Sequence, residues 1–241
     1  MKYDLAIDPS FGSFSAVLYM WLSGARYRMG GGRWAAGLCN IAVDKKKGGH
    51  AYDGVVFLAR ALDVPVRDHP YYPVTPAESR KAIASLGGLN LADKRGSFPF
   101  IALFVGGHQD KRWPNESWID LAGRLHEAGA RVLILLGPEE IHFGPKIRQL
   151  LAGAIPVLDP LPLPDFAAVL QQARLVATPD SGPMHLAVAL DVPTVAILQQ
   201  ESSRKFAPRG PQDVVLIHPT VSEVFEDIRK HPTWSAQASA S

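Results

Sequence analysis

From residue 97 onward the chain alternates short, uninterrupted apolar runs with stretches whose apolar residues recur at helical spacing. Residues 98–105 (FPFIALFV) read as a strand buried on both faces. Trp118, Leu121, Ala122 and Leu125 then fall at offsets of 0, 3, 4 and 7, one face of a helix, with Asn115 as its expected cap and Gly129 as its stop. Residues 132–136 (VLILL) predict a second strand, followed by Gly137-Pro138 and a helical stretch to about residue 151. Residues 155–158 predict a third strand, and Leu163, Phe166, Ala167 and Leu170 repeat the helical offsets. Strands over 175–178, 194–198 and 214–217, with a helix over 183–190, complete the series. Continuous apolar strands alternating with helices predict a parallel sheet covered on both faces, the doubly wound α/β class.

The first 75 residues are less regular. Residues 4–8 (DLAID) predict a strand, 13–22 a helix, 26–29 another short strand and 51–62 a helix. Between them lie Gly30-Gly31-Gly32 and Lys45-Lys46-Lys47, and Asp68-His69-Pro70 marks a loop. The lysine triplet fits either a solvated loop or a contact for acidic lipid or phosphate. This part reads as the end of an α/β domain without its first strands. The expected organisation is a truncated domain over 1–78, a Rossmann-like domain over 79–230, and a disordered Ser/Ala-rich tail within 231–241.

Composition narrows the chemistry. A chain of 241 residues, 47% hydrophobic and 20% charged, is ordinary for a protein with a real core. Its 25 basic and 23 acidic residues leave a net charge of +2, too balanced to argue for nucleic acid as a partner. A single cysteine, Cys39, excludes a disulfide framework and a cysteine-based zinc site. The eight histidines show no metal-binding spacing, so neither metal nor cofactor is expected. The longest apolar run, 16–22, is far shorter than the ~20 residues of a membrane span. Asp4 and Asp8 stand where a signal peptide needs positive charge, which predicts a cytoplasmic protein.

In an open parallel sheet, ligands bind outside the carboxyl ends of the strands. Three loops occupy that position. In the first, Gly106 and Gly107 permit close approach to the backbone and Lys111 and Arg112 add positive charge, although a surface loop with solvated cations fits too. In the second, Asp180, Ser181, Gly182, Pro183, Met184 and His185 open a helix with Pro183 suited to its first turn. Free N–H groups and the positive end of the helix dipole make such a turn an anion site. Ser181 adds a hydroxyl and Asp180 an acceptor for sugar hydroxyls; the competing reading is helix capping by Asp180 or Ser181. His185 could face either the ligand or the core. In the third, Glu139 and Glu140 stand at a helix start, favourable electrostatically with or without ribose to bind. No GxGxxG or GxxxxGK[ST] motif is present, which disfavours a P-loop or NAD enzyme.

Lys111-Arg112-Trp113-Pro114 together with Asp180-Ser181-Gly182-Pro183-Met184-His185 resembles glycosyltransferase family 9, the ADP-heptose:lipopolysaccharide heptosyltransferases. The likeness continues through Leu186 to Leu190 and Pro193 to Ala196, and includes Tyr3 to Asp8 and Ser23 to Arg26. The resemblance implies a GT-B-like fold and metal-independent transfer of a sugar from a nucleoside diphosphate, ADP-heptose-like, to a glycolipid acceptor of the lipopolysaccharide core. It implies an enzyme in the cytoplasm, with peripheral contact to the inner membrane. By the same carry-over, Lys111, with Gly106 and Gly107, would meet the donor phosphates. Ser181 and Gly182 would hold the diphosphate, with Pro183 in the same turn. Asp180 and His185 would sit beside the sugar, and Glu139 would be the nearest nucleotide contact.

Three features depart from the family pattern. The family's Gly-Asp loop, whose aspartate is the proposed base, has no counterpart here, so no catalytic residue is assigned. Phe14 stands where a basic residue is usual, and Gln199-Gln200-Glu201 replaces a Gly-Pro loop. The competing class is a non-catalytic nucleotide-sugar-binding module or partner subunit, and a sugar-nucleotide epimerase is a third option.

Overall fold

The structure, a computed structural model, describes residues 3–11, 13–32, 35–43, 49–67, 69–89, 91–92 and 97–234. It divides into two compact units, Met1–Pro70 and Tyr71–Ser241. The lysine triplet at 45–47, Asp68 and residues 235–241 lie outside the described residues.

The first unit runs β1 (Leu5–Ile7), α1 (Phe14–Leu22), β2 (Tyr27–Gly31), α2 (Ala35–Leu38), β3 (Ile41–Val43) and α3 (Asp53–Ala61). Its strands form a parallel sheet in the order β1-β2-β3, with Leu5 opposite Tyr27 and Met29 opposite Ile41. Ser13 caps α1 by accepting from the Ala16 N–H at 3.3 Å. Val17 and Met20 of α1 are buried, as are Met29 of β2 and Leu58 of α3.

The second unit opens with α4 (Pro76–Gly87) and continues β4 (Phe100–Val105), α5 (Asn115–Glu127), β5 (Arg131–Leu136), α6 (Gly144–Leu150) and β6 (Val157–Leu158). Then come α7 (Leu163–Gln172), β7 (Leu175–Pro179), α8 (Gly182–Ala189), β8 (Thr194–Leu198), β9 (Val214–Ile217) and α9 (Val221–Lys230). All six strands are parallel, in the order β6-β5-β4-β7-β8-β9. The two-residue alternation of strands sorts their side chains into two cores. Ile101, Leu103 and Val105 of β4 join Val132 and Ile134 of β5 against Trp118, Leu121 and Leu125 of α5 and Val224 and Ile228 of α9. Phe100, Ala102 and Phe104 join Leu133 and Leu135 on the opposite face, against Leu86 of α4, Phe166 and Leu170 of α7, and Leu186 of α8. The sheet is therefore doubly wound, as the apolar runs predict.

Several local expectations need correction. Asn115 is the first helical residue of α5 and does not cap it; Pro114 precedes the helix and makes no side-chain cap bond. The helical stretch after β5 begins as a 3-10 turn, Pro138–Phe143, before α6. Neither α4 nor α9 is foreseen from apolar spacing, yet both carry complete capping boxes, Thr75 with Glu78 and Thr220 with Glu223. That four-residue signature was legible in the sequence. β3, only three residues long, is also additional. The tail does not begin at 231: His231 is buried, its Nε2 lies 2.7 Å from the Gln212 carbonyl, and Trp234 packs against the core.

Candidate functional site

Strand order reverses between β4 and β7: the chain moves from β4 outward to β5 and β6, then returns to β7 and moves the other way. The loops leaving β4 and β7 consequently diverge to opposite faces and leave a crevice at their carboxyl ends, where doubly wound sheets bind ligands. Two of the three sequence-predicted loops are those that leave β4 and β7.

Gly107 adopts φ +120°, and a β-carbon there would stand 3.4 Å from the Pro179 ring and 3.9 Å from the Ser181 β-carbon. The β4 loop thus runs close to the Pro179 and Ser181 side chains of the β7 loop. The 3-10 turn Gln109–Lys111 then carries Lys111 across, so that its Nζ lies 2.6 Å from Oδ2 of Asp180. Asp180 is buried, and Lys111 is partly open to solvent. Burial of the carboxylate is compensated by this ion pair and by the hydroxyl of Ser203, which donates to the same oxygen. The ammonium also stands 5.8 Å from the centre of the Phe206 ring.

Arg112 points elsewhere. Its Nε donates to the Gly107 carbonyl at 2.6 Å, and its Nη2 reaches Glu140 at 2.5 Å and Glu139 at 3.2 Å. Its charge is thus engaged within the protein, and the guanidinium ties the β4 loop to the β5 loop. Burial raises the Glu140 carboxyl above its ordinary value, an effect the Arg112 charge opposes. Gly106 makes room for this pair, because a β-carbon there would lie 2.8 Å from Glu140 Oε2 and 2.7 Å from the Phe104 ring. Glu139 is exposed at the edge of the group. Trp113 fixes the far end of the loop: its indole donates to the Pro219 carbonyl at 3.2 Å and its ring meets Trp118 edge to face at 5.0 Å.

At the start of α8 the capping reading fails. Ser181 occupies the cap position without a side-chain cap bond; its hydroxyl instead donates to the Pro179 carbonyl at 3.1 Å and lies 3.2 Å from that of Thr178. Asp180 is engaged by Lys111 and Ser203. Gly182 is exposed and Pro183 stands in the first turn, where its missing N–H costs nothing. His185 is exposed rather than in the core, edge-on to Phe206 at 6.4 Å. The structure thus gathers Gly106, Gly107, Lys111, Asp180, Ser181, Gly182 and His185 around the β4–β7 crevice, with Glu139 joined to them through Arg112. Ser203 and Phe206, which sequence reasoning misses, come from the 3-10 turn Glu201–Phe206 after β8. No motif flags them. An ammonium beside an uncapped helix start suits an anion carrying several oxygens, such as a diphosphate. Among the described residues no group of three or more His, Cys, Asp or Glu is arranged to hold a metal ion.

The family model for glycosyltransferase family 9 (heptosyltransferase) matches residues 1–230. The chain belongs to this family. Over 118 residues it is 32% identical to lipopolysaccharide heptosyltransferase 1 of Escherichia coli K12, a stretch covering 48% of this chain and 36% of that protein. Over 110 residues it is 36% identical to the Pseudomonas aeruginosa protein of the same name, covering 44% and 30% respectively. The aligned stretch therefore spans only about a third of the curated relatives. The fold is similar to that of the E. coli heptosyltransferase WaaC, solved with ADP-2-deoxy-2-fluoro heptose (TM-score 0.69, 21% identity, 95% of this chain and 73% of that one). It is equally similar to E. coli ADP-heptose LPS heptosyltransferase II (TM-score 0.70, 21% identity, 98% and 78%). These likenesses establish a GT-B-like fold for this family member.

Proposed function

We propose that this family 9 member transfers a sugar, heptose by family, from a nucleoside diphosphate sugar to a lipopolysaccharide core acceptor at the cytoplasmic face of the inner membrane. The observation that carries the reading is the convergence of Lys111 and the uncapped start of α8 on one crevice, with Gly107 against Ser181. In the reaction the acceptor hydroxyl oxygen bonds to the anomeric carbon, and the bond from that carbon to the diphosphate oxygen breaks. Negative charge grows on the departing diphosphate, where a lysine and oriented N–H groups stabilise it more than they do the ground state. The proton of the acceptor hydroxyl passes to a base. Among the substrate contacts, Ser181 and Gly182 would line the diphosphate and Asp180 and His185 the sugar side. No helix among the described residues is long and apolar enough to cross a membrane, so contact with the lipid-linked acceptor would be peripheral.

Purified protein given ADP-heptose and a core acceptor should release ADP, which a coupled assay follows directly. Saturable ADP binding without release would favour a binding module that does not turn over. Failure to bind ADP would remove the nucleotide-sugar reading altogether.

A further inference from the structure

Asp180 Oδ2 serves two donors, the Lys111 ammonium at 2.6 Å and the Ser203 hydroxyl. Asp180 is 5% exposed and Ser203 only 2%. A carboxylate buried this deeply has few orientations in which its charge is compensated, so a second donor on the same oxygen selects one of them. The hydroxyl is neutral and does not displace the ammonium. Ser203 sits in the 3-10 turn Glu201–Phe206, whose last residue also stands against Lys111 and His185. This turn is held to the β4 loop from its own start, where Gln200 Nε2 donates to the Asp110 carbonyl at 3.4 Å.

We propose that Ser203 is a positioning residue: through Asp180 it orients the Lys111 ammonium at the mouth of the β4–β7 crevice. Of the three ammonium N–H bonds, the one given to Asp180 sets the direction of the other two, which then serve the ligand's phosphate oxygens. The inference rests on the diphosphate reading for what Lys111 meets, and on this chain's geometry alone for what holds Lys111. Ser203 itself touches neither phosphate nor sugar.

The test uses the whole chain labelled with 15N and two readouts: the Lys111 ammonium resonance, assigned by its loss in Lys111→Ala, and ADP affinity by calorimetry. Ser203→Ala should shift or broaden the Lys111 signal and weaken ADP binding roughly three- to tenfold. In a Lys111→Ala background the same change should alter ADP affinity less than about twofold, because the two residues act as one unit. Ser203→Thr, which keeps the hydroxyl, should restore both readouts. Ser203→Cys fills the same space with a weak donor and supplies the comparison if Ser203→Ala does not fold. A Lys111 signal indistinguishable from wild type in the Ala and Cys variants overturns the proposal, as does an equal loss of ADP affinity in both backgrounds. Wild-type protein that binds no ADP overturns the diphosphate reading instead, while the Lys111 signal still decides whether Ser203 orients it.

Discussion

Lys111 and Asp180 stand in the loops after β4 and β7, and they meet Nζ to Oδ2 at 2.6 Å. The pair joins the loops on either side of the strand-order reversal and brings the cationic turn and the helix start together. Had these loops opened on different edges of the sheet, each would be an ordinary surface turn.

Removing the cation at this junction should cost both stability, since Asp180 is left buried with only the Ser203 hydroxyl, and anion binding. Lys111→Ala is expected to weaken ADP binding by roughly 1.5–3 kcal/mol, the range for a hydrogen bond to a charged group. Calorimetry with ADP measures this, and unchanged affinity would take Lys111 out of the site.

Gly107 holds the β4 loop in a backbone conformation that favours glycine. Its φ of +120° is one that residues with a β-carbon rarely adopt, and the added atom would point at Pro179. Gly107→Ala should cost on the order of 1–3 kcal/mol of stability, read from the midpoint of urea unfolding. ADP affinity should fall with it, because relieving the strained φ shifts the β4 loop backbone that carries Lys111.

Removing Arg112 would strand a buried carboxylate. Breaking one partner of a buried pair typically costs about 3–5 kcal/mol, and Arg112→Ala belongs near the lower end because the guanidinium is partly solvated. Adding Glu140→Gln to that variant should recover part of the loss, since the second change removes the unpaired charge. Urea unfolding of the single and double variants decides it; a further loss in the double variant would contradict this account.

The same carboxyl shapes the pH dependence of stability. Burial raises the Glu140 carboxyl above its ordinary value of 4.5, so the folded protein holds that proton more tightly than the unfolded chain. Its contribution is fully present below 4.5 and is lost as pH rises through the raised folded value. Asp213, whose carboxylate accepts from the Thr194 and Gly210 N–H groups, is raised above 3.8 by burial and acts in the same direction. Glu223 and Glu226 are lowered by hydrogen bonds from Thr220 and Arg229 and act oppositely, as pH falls. Glu140→Gln should flatten the decline in Tm as pH rises above 4.5 relative to wild type. An unaltered slope in calorimetric scans would exclude Glu140 as its source.

Much of the second unit could be read from the chain because its strands are buried on both faces. An apolar run such as Phe100–Val105 has no other soluble use at that length, and the intervening helices show their inner faces through Trp118, Leu121 and Leu125. α4 and α9 escaped that reading, although their capping boxes marked where they start. The candidate residues Lys111, Asp180 and Ser181 were legible because they lie in loops that follow strands, where doubly wound sheets bind ligands. Arg112 was read as a cation for a ligand, and only its proximity to Glu140 shows that its charge is spent on joining two loops.

By itself, then, the sequence determined what depends on neighbours along the chain: strand and helix type, the glycines and cation after β4, and the turn that opens α8. Tertiary structure alone decided which of those loops meet, that Asp180 faces Lys111 rather than capping α8, and that Ser203 shares its oxygen. Periodicity reports local burial, whereas partners in an ion pair are chosen by strand order across the sheet, and strand order leaves no mark on the spacing of residues within one strand.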